Sequence, residues 1–461
     1  ADSYFIGKYT GTIGLTAISI ANPLEMLLPV TFALMMSAGS AAVLSRMLGK
    51  GLVGQAKLLM AHILLLGLVV GVIEALLTVP AMEWILTNIL GASDEVLPHA
   101  LAYLRVIFAF TPIGYYLTTT VVGSLRIENK AQWAMWLETA AALINIIGDP
   151  ILMGPLDLGI QGAAISTSIS AYLVGAAVLW YYMRPHSTSQ LAPDFKGMKR
   201  GIQFKEIGKA VTIGLGVFND MLTPTVCLIF ENIQIAKWSD STAAGDITVA
   251  AMGLGMRFQA MLFLPMCGIC QGLMPVLGYS LGQNNQRRMA AATIKVTSWA
   301  VGYAILCSFG IWVFARPLVS LFSDDPVVID QGVSICHILF TATWLQAFTQ
   351  MVSLVTQAFH HIKTNMAITF VRPVLQIIFP FTLPYFMGVR GVWMGVLVGD
   401  AICGSVSATV LALYIRGMLK RAKEEGQAEE THDLESAVAN KGEQEEETSH
   451  TASLDLDGLT V

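Results

Sequence analysis

The chain has 461 residues, of which 54% are hydrophobic and 13% are charged. Soluble globular domains carry about 25% charged residues, so this composition excludes a soluble protein and indicates a chain whose surface mostly faces lipid. With 41 glycines and six cysteines, the collagen-like and secreted disulfide-rich classes are excluded as well.

The net charge of −5 is unevenly distributed along the chain. Residues 424–461 hold twelve of the 32 acidic residues and a single basic residue, Lys441, so the rest of the chain is basic. This acidic segment has little apolar surface with which to offset the entropy of ordering. We therefore predict that 418–461 is a disordered tail.

Apolar segments long enough to cross a bilayer recur along the chain. A transmembrane helix needs about 20 predominantly apolar residues, and cutting at polar, Gly-bearing or Pro-bearing breaks leaves eleven complete spans. They are 15–45, 57–87, 96–125, 131–153, 160–183, 207–236, 247–281, 291–322, 327–359, 364–387 and 391–416. Residues 1–6 are typical of the end of a further span that is cut short. The predicted fold class is an all-α polytopic membrane protein with twelve transmembrane helices.

Basic residues alternate between the two sets of loops. One set holds 19 Lys and Arg residues, and the other holds four, Lys8, Lys237, Arg316 and Arg390. Cytoplasmic loops collect positive charge, so both termini are predicted to be cytoplasmic, in a plasma membrane or bacterial inner membrane.

The two halves of the chain resemble each other at a separation of about 230 residues. Gly159–Ala163 matches Gly388–Val392 in order, and the pairs Leu48–Gly49 and Leu281–Gly282, and Ser93–Asp94 and Ser323–Asp324, follow the same offset. Parallel repeats of this kind occur in transporters that place a binding site between two bundles. We predict two six-helix bundles related by pseudo-two-fold symmetry, an N-terminal lobe at 1–183 and a C-terminal lobe at 207–417, joined by a cytoplasmic linker at 184–206. Duplication for stability alone, as in a pore or scaffold, is the structural alternative.

Asp149 is the most informative of the acidic residues within the spans. Asn145 precedes it by four residues and shares its helix face, and Pro150 leaves the Ile146 carbonyl without its helical partner. A carboxylate, an amide and a free carbonyl in one turn form the outline of a cation or proton site, and ionisable groups in membrane spans are functional by default. Interhelical hydrogen bonding is the alternative role.

Asp2 and Thr167 are expected at the same depth as Asp149. Asp2 lies close to an outer loop, Asp149 lies near the outer end of its span, and Thr167 follows in the outer third of the next helix. The sequence therefore predicts a cation or proton site formed by Asp2, Asn145, Asp149 and Thr167, with Na⁺ as the one metal ion that it could bind.

Other polar residues inside the spans are weaker candidates. Asn219 and Asp220, followed by Pro224, could contribute to a substrate cavity together with glutamines of the C-terminal half, namely Gln259, Gln271, Gln346 and Gln350, unless these only bond helices together. The remaining acids in the spans, Glu25, Glu74, Glu138, Glu231 and Asp400, are expected to snorkel or to pair with a neighbour.

Sequence motifs of enzymes are missing. The chain has no P-loop, dinucleotide fingerprint or nucleophile elbow, and its one C-x-x-C, Cys267 and Cys270, lies in an apolar run where thiols behave as small hydrophobes. We expect neither an enzyme nor a bound cofactor other than the coupling ion.

Three stretches resemble the multidrug and toxic compound extrusion (MATE) family. The segment from Gly268 to Arg287 (GICQGLMPVLGYSLGQNNQR) is similar to the family's eighth-helix signature, Asp2 in ADSYFIG resembles its first-helix aspartate, and Asn145–Pro150 with Thr167 resembles its fifth-helix and sixth-helix motifs. The resemblance covers residues 1 to about 417. The 327–359 span lacks the tenth-helix acid of one branch of the family, which favours coupling at the N-terminal carboxylates.

The resemblance implies an antiporter that uses H⁺ or Na⁺ to export amphipathic or cationic organic compounds by alternating access. We expect small organic substrates and membrane lipid as partners, no nucleic acid, and a monomer. Two alternatives remain: a lipid-linked oligosaccharide flippase, for which Arg105, Arg257 and Arg372 are the basic residues within the spans, and a non-transporting membrane sensor that acts through the acidic tail.

Overall fold

The structure is a computed structural model, and it describes residues 2–88, 94–184, 189–239, 242–322 and 326–457. Within these ranges it is almost entirely helical and has no strand. The match Ser93–Asp94 with Ser323–Asp324 lies partly outside the described residues, as does the start of the predicted linker. The expected all-α fold is confirmed.

The helices of the first half follow the predicted spans closely. They are α1 (Asp2–Glu25), α2 (Thr31–Gly49), α3 (Val53–Asn88), α4 (Leu97–Ile127), α5 (Ala131–Met153) and α6 (Gly159–Met183). A π-helical turn, Met26–Val30, contains Pro29 and joins α1 to α2. Gly11, at φ 68° and ψ −157°, breaks α1 into two helical pieces, a backbone conformation that glycine adopts without a steric penalty.

The second half contains further breaks within its spans. Its helices are α7 (Phe204–Trp238), α8 (Thr242–Gln271), α9 (Leu273–Gly282), α10 (Gln286–Val313), α11 (Ala315–Ser320), α12 (Pro326–Ala342), α13 (Gln346–Ala358), α14 (Ile362–Thr382), α15 (Pro384–Met387) and α16 (Arg390–Asp457).

Ten helical segments of the described residues are long and apolar enough to cross a membrane. They correspond to ten of the eleven predicted spans. The remaining prediction, 207–236, falls on α7, which is helical throughout but is not among the ten.

The acidic tail departs from the sequence-based prediction. The backbone of α16 continues as a helix from Arg390 to Asp457, whereas the sequence predicted a disordered segment from residue 418. Nine of the 24 residues at 424–447 are Glu, which has high helix propensity. A segment that extends an existing helix also avoids the cost of nucleation.

The helices form two groups that touch mainly through α2. In the first half, α4 packs against α3, α6 and α2, while α5 packs against α6. In the second half, α14 and α13 pack against α16, and α8 packs against α12 and α10. Between the groups, α2 packs against α7 and α9. The lobe boundaries at 183 and 207 stay a prediction.

The contacts between the two groups concentrate at one end of the bundle. We call this the basic end, because its connections include Lys50, Lys130 and Arg287. A Cβ atom on Gly282 would lie 2.7 Å from Cα of Gly49, and one on Gly39 would lie 1.9 Å from the carbonyl oxygen of Ala210. The backbones of α2, α7 and α9 are therefore in direct contact there.

The described part of the linker is attached to the first group. Glu128 accepts hydrogen bonds from the hydroxyl of Ser189 and from the backbone N–H of Leu191, and the N–H of Asp194 donates to the carbonyl of Lys57 at 3.1 Å. Lys130 pairs with Glu128 at 2.7 Å. Burial alone would lower the pKa of Lys130, but its bonds to Glu128 and Tyr181 outweigh that effect and raise it.

Candidate functional site

Asp149 and Asn145 face α6 from the last turns of α5. Asp149 is fully buried, and its Oδ1 accepts a hydrogen bond from Nδ2 of Asn145 at 3.3 Å. The same amide nitrogen donates to Oγ1 of Thr167 at 3.1 Å, while the hydroxyl of Ser166 donates to the backbone carbonyl of Asn145 at 3.0 Å. Three of the four residues of the predicted cation site, Asn145, Asp149 and Thr167, are thus brought together.

Local sequence explains why α5 and α6 approach so closely at this point. A Cβ atom on Gly148 would lie 2.5 Å from Oγ of Ser166, so glycine between Asn145 and Asp149 allows the hydroxyl-bearing face of α6 to reach both side chains. Pro150 lies within α5 and supplies no N–H to the Ile146 carbonyl. Carboxylate, hydroxyl and carbonyl oxygens therefore lie within one turn of each other.

The side chain of Asp2 lies outside the described residues, but its helix packs beside α5 and α6. The ring of Tyr9 is next to Gly154, which follows α5, since a Cβ atom there would lie 3.1 Å from the tyrosine Cε1. Along α1, Asp2 precedes Tyr9 by about 10 Å of helix rise, and along α5, Asp149 precedes Gly154 by about 8 Å. The backbone positions thus agree with the depth expected for a shared site.

The predicted cavity residues of α7 belong to a separate polar cluster. Oδ2 of Asp220 accepts a hydrogen bond from Oγ of Ser353 at 3.1 Å, and Ser353 in turn accepts from Nε2 of Gln357 at 2.9 Å. Asn365 donates to the Ser353 carbonyl at 3.1 Å. Asn219 is buried, and its Nδ2 has no hydrogen-bond partner among the described residues.

The four glutamines proposed to line a cavity have different environments. Gln346 is buried and donates a hydrogen bond to Oδ2 of Asp400 at 2.8 Å, which joins α13 to α16. Gln271 is exposed at the break between α8 and α9, and Gln259 and Gln350 are half-buried. A shared glutamine lining stays a prediction for these four residues.

A buried ion pair in the second half supplies the partner of Asp400, which the sequence analysis did not identify. Nε of Arg372 lies 3.1 Å from Oδ1 of Asp400, which also accepts from Nε2 of Gln376 at 2.9 Å. Arg372 and Gln376 are one turn apart on α14, so both reach the same carboxylate on α16. The available signal was an isolated base and an isolated acid in two neighbouring apolar spans, since such charges normally pair.

The other acids in the spans do not share one role. Glu138 forms an exposed ion pair with Arg126, as expected for an acid that pairs with a neighbour. Glu25 is buried and accepts hydrogen bonds from Tyr103 at 3.0 Å and Tyr115 at 3.4 Å. Glu74 and Glu231 are also buried, so these three acids do not snorkel; Glu25 and Glu74 instead bond to neighbouring tyrosines. Their helix faces are turned toward neighbouring helices and not toward the membrane surface.

Clusters of three or more His, Cys, Asp or Glu that could hold a metal ion do not occur in the described part of the chain. The predicted Na⁺ site differs from such a cluster, because it would combine carboxylate, amide, hydroxyl and carbonyl oxygens. Oxygen ligands of this kind suit hard cations.

Comparison with known families is consistent with this architecture. The MatE family model matches residues 1–151 and 229–382, which is more than half of the chain and includes Asn145 and Asp149. The chain therefore belongs to the MATE family of membrane transporters.

Curated relatives match along most of their length. The chain is 28% identical over 420 residues to the multidrug export protein MepA of Staphylococcus haemolyticus, covering 89% of this chain and 87% of that protein. It is 24% identical over 424 residues to MepA of Staphylococcus saprophyticus, covering 92% of this chain and 90% of that protein.

Solved structures share the fold. A multidrug resistance MATE family transporter of the MOP superfamily in an outward-facing conformation superposes with a TM-score of 0.83 at 22% identity, covering 91% of both chains. A MATE structure in a bent conformation gives a TM-score of 0.82 at 23% identity, covering 92% of both. At these identities the likeness establishes the fold alone, and the predicted twelve-helix architecture is consistent with it.

Proposed function

We propose that this protein is a cation-coupled antiporter that exports amphipathic or cationic organic compounds. The observation that carries the proposal is the fully buried carboxyl group of Asp149, held beside Asn145 and Thr167 where α5 meets α6, with α1 packed against both helices. The multidrug export names of the MepA relatives support the substrate class.

Asp2, Asn145, Asp149 and Thr167 would form the coupling site for H⁺ or Na⁺. Two carboxyl groups that share a partly dry pocket disfavour a state in which both are ionised, so an entering cation would neutralise the pair. A charge that crosses the whole membrane gains about 2.3 kcal/mol per 100 mV, which is enough to bias a two-state movement of the two helix groups.

Alternating access would proceed by opening the basic end, where α2 contacts α7 and α9. We propose that this end faces the cytoplasm together with both termini, as the distribution of basic loops indicates. Cation binding from the outer side would favour the conformation that releases the organic substrate outward. Release of the cation inside would reset the carrier. Asn219 and Asp220, with the glutamines Gln259, Gln271, Gln346 and Gln350, are the proposed substrate contacts.

Two of the three basic residues that would favour a flippase, Arg105 and Arg372, lie beside acidic side chains. A flippase for a pyrophosphate-linked lipid would require cationic side chains available to the phosphates, but Arg372 is paired with Asp400 in the described structure. Arg105 also lies near a carboxylate, 3.9 Å from Glu83.

Ethidium efflux under separately imposed pH and sodium gradients tests the proposal. We expect efflux to follow one gradient and to be lost in Asp149→Asn, because an amide cannot exchange a proton and binds a cation weakly. Asp157→Asn is the matched control, since Asp157 is exposed in the loop between α5 and α6. Efflux at the wild-type rate by Asp149→Asn would show that the site is wrongly assigned.

A further inference from the structure

One face of α3 carries two glycines followed by a carboxyl group. Gly67, Gly71 and Glu74 are spaced four and three residues apart, so they share this face. A Cβ atom on Gly67 would lie 3.1 Å from Cβ of Tyr116, and one on Gly71 would lie 2.9 Å from Cγ1 of Ile113. The glycines therefore let α4 approach closely and set Tyr116 beside Glu74.

Glu74 is buried in this helix contact without a compensating charge. Its side chain is 8% exposed, and its Oε2 accepts a hydrogen bond from the hydroxyl of Tyr116 at 3.2 Å. Its Oε1 is buried and has no hydrogen-bond partner among the described residues. None of the ion pairs formed by those residues includes Glu74.

An ionised carboxylate in this position would be costly. Removing an ion from water costs several kcal/mol unless a partner charge and further hydrogen bonds offset the loss, and one phenol donor provides little of that. Tyr116 on α4 is the one ionisable side chain of the described structure that interacts with Glu74, and the described residues of α2 and α7, which also pack against α3, contribute none. The neutral, protonated carboxyl group fits these surroundings.

A purely structural role does not explain a carboxyl group here. Polar side chains bond transmembrane helices together, but a glutamine would accept the same hydrogen bond from Tyr116 without the risk of an uncompensated charge. Unlike glutamine, the glutamic acid present here can release and take up a proton.

Glu74 lies in the contact between α3 and α4, whereas Asp149 lies where α5 meets α6. Gly71 of α3 meets Ile113 of α4, and the nearby Thr111 bonds to Ser168 of α6 at 2.7 Å. Ser168 is next in sequence to Thr167 of the Asp149 site. The two carboxyl groups thus lie at a similar level of the bundle but in separate helix contacts.

We propose that Glu74 is a second proton-exchange site, separate from the site around Asp149. Its ligand is H⁺ and not a metal ion, because the carboxyl and phenol oxygens found there are too few to replace a hydration shell. The direction in which this proton moves rests on the proposed antiport function. The existence of the exchangeable proton does not.

Infrared difference spectroscopy of the purified protein in nanodiscs, without substrate, tests this proposal. The C=O stretch of a protonated carboxyl group is distinct from that of a carboxylate. We expect one protonated-carboxyl band at neutral pH to disappear in Glu74→Gln and to remain in Glu83→Gln, the control, because Glu83 is an exposed acid on the same helix. Raising the pH should convert this band into a carboxylate band.

Tyr116→Phe provides a second variant in case Glu74→Gln does not fold. It should keep the band but move it to higher frequency, because the hydrogen bond to the carboxyl group is lost. A spectrum unchanged in Glu74→Gln, or a Glu74 band that stays constant with rising pH until the protein unfolds, would overturn the proposal. Asp149→Asn should keep the Glu74 band, so failure of the coupling site and failure of this proposal can be told apart.

Discussion

At the scale of single residues, the buried carboxyl groups of Asp400 and Glu74 have different numbers of polar partners. Asp400 accepts hydrogen bonds from Gln346 and Gln376 and pairs with Arg372, so its charge is compensated within the protein. Glu74 has one phenol donor. A compensated carboxylate holds helices together in every conformation, whereas a carboxyl group with few partners can exchange its proton.

Breaking the Arg372–Asp400 pair is therefore expected to destabilise the protein. Arg372→Leu leaves a buried carboxylate without its counter-charge, which typically costs about 3–5 kcal/mol. Thermal unfolding in detergent should show a clearly lower midpoint for Arg372→Leu and little change for Arg257→Leu, whose arginine is exposed. The double variant Arg372→Leu/Asp400→Leu should recover part of the loss. A midpoint equal to that of the wild type would argue against a structural role for the pair.

Thr167 is expected to affect coupling more than stability. Thr167→Val keeps the side-chain shape but removes the hydroxyl that accepts from Asn145 at 3.1 Å. The amide would lose one of the bonds that orient it toward Asp149, so ion-driven ethidium efflux should fall several-fold while the unfolding midpoint changes little. Thr139→Val, on the exposed face of α5, is the control. An unaltered dependence of efflux on the ion gradient would remove Thr167 from the proposed site.

His360 makes a pH dependence at the basic end testable. Burial, together with the charges of Arg46 and Lys209, lowers the pKa of His360 below its usual value. The unfolded chain therefore binds a proton more readily than the folded one, so stability should fall as the pH drops through about 6.5. His360 has a φ of 63°, which Asn tolerates well.

The variant His360→Asn should thus fold normally and lose less stability on acidification than the wild type. Unfolding midpoints measured between about pH 7.5 and about pH 5.5 bracket the histidine titration. Parallel acid profiles of the two proteins would contradict the expectation.

At the scale of helices, close backbone contacts at the basic end hold the two groups together. Gly49 and Gly282 meet almost backbone to backbone, and Gly278 lies against Ser45, since a Cβ atom there would be 1.8 Å from its hydroxyl. Helices that pack through glycine gain van der Waals contact without large side chains to interlock, which suits surfaces that separate and rejoin.

Gly282→Leu should prevent this end from closing. The added side chain would overlap the Arg46 carbonyl and Gly49, so the protein should favour a conformation that is open at the basic end. Distances between spin labels placed on α2 and α9 should lengthen, and ethidium efflux should be lost. Gly302→Leu on α10, where a Cβ atom meets nothing within 4 Å, is the control. Unchanged label distances in Gly282→Leu would show that this contact does not control closure.

The positions of the helices were predictable because each depends mainly on the apolar segment that forms it. Spans such as 131–153 coincide with α5, because an apolar segment in lipid must satisfy its own backbone hydrogen bonds. The contact of Asn145 with Asp149 followed from their spacing along one helix. The pairs Arg372–Asp400 and Glu74–Tyr116 were not predictable in this way, because each joins two helices whose relative rotation is fixed only by packing.

At the scale of the whole molecule, the acidic tail can be separated from the transport machinery. The backbone of α16 continues to Asp457, well beyond Met418, which is the last buried hydrophobic residue in the described core. Removing residues 424–461 should leave ethidium efflux and the unfolding midpoint unchanged, because the buried hydrophobic residues of the described core all precede this segment. A protein that senses through this tail would instead lose its function on truncation, so efflux assays of the shortened chain distinguish the two.

The attachment of the linker to the first group leaves a very short tether between the two halves. Hydrogen bonds to Glu128 and Lys57 hold the linker on the first group, and its short helical turn ends at Arg200. Helix α7 of the second group begins at Phe204. Only residues 201–203 remain, with Gly201 at a φ of 126°, and three extended residues reach about 10 Å. The two halves can rotate about this short connection but cannot separate next to it. Any opening of the basic end should therefore be widest on the side of the bundle away from residues 201–203.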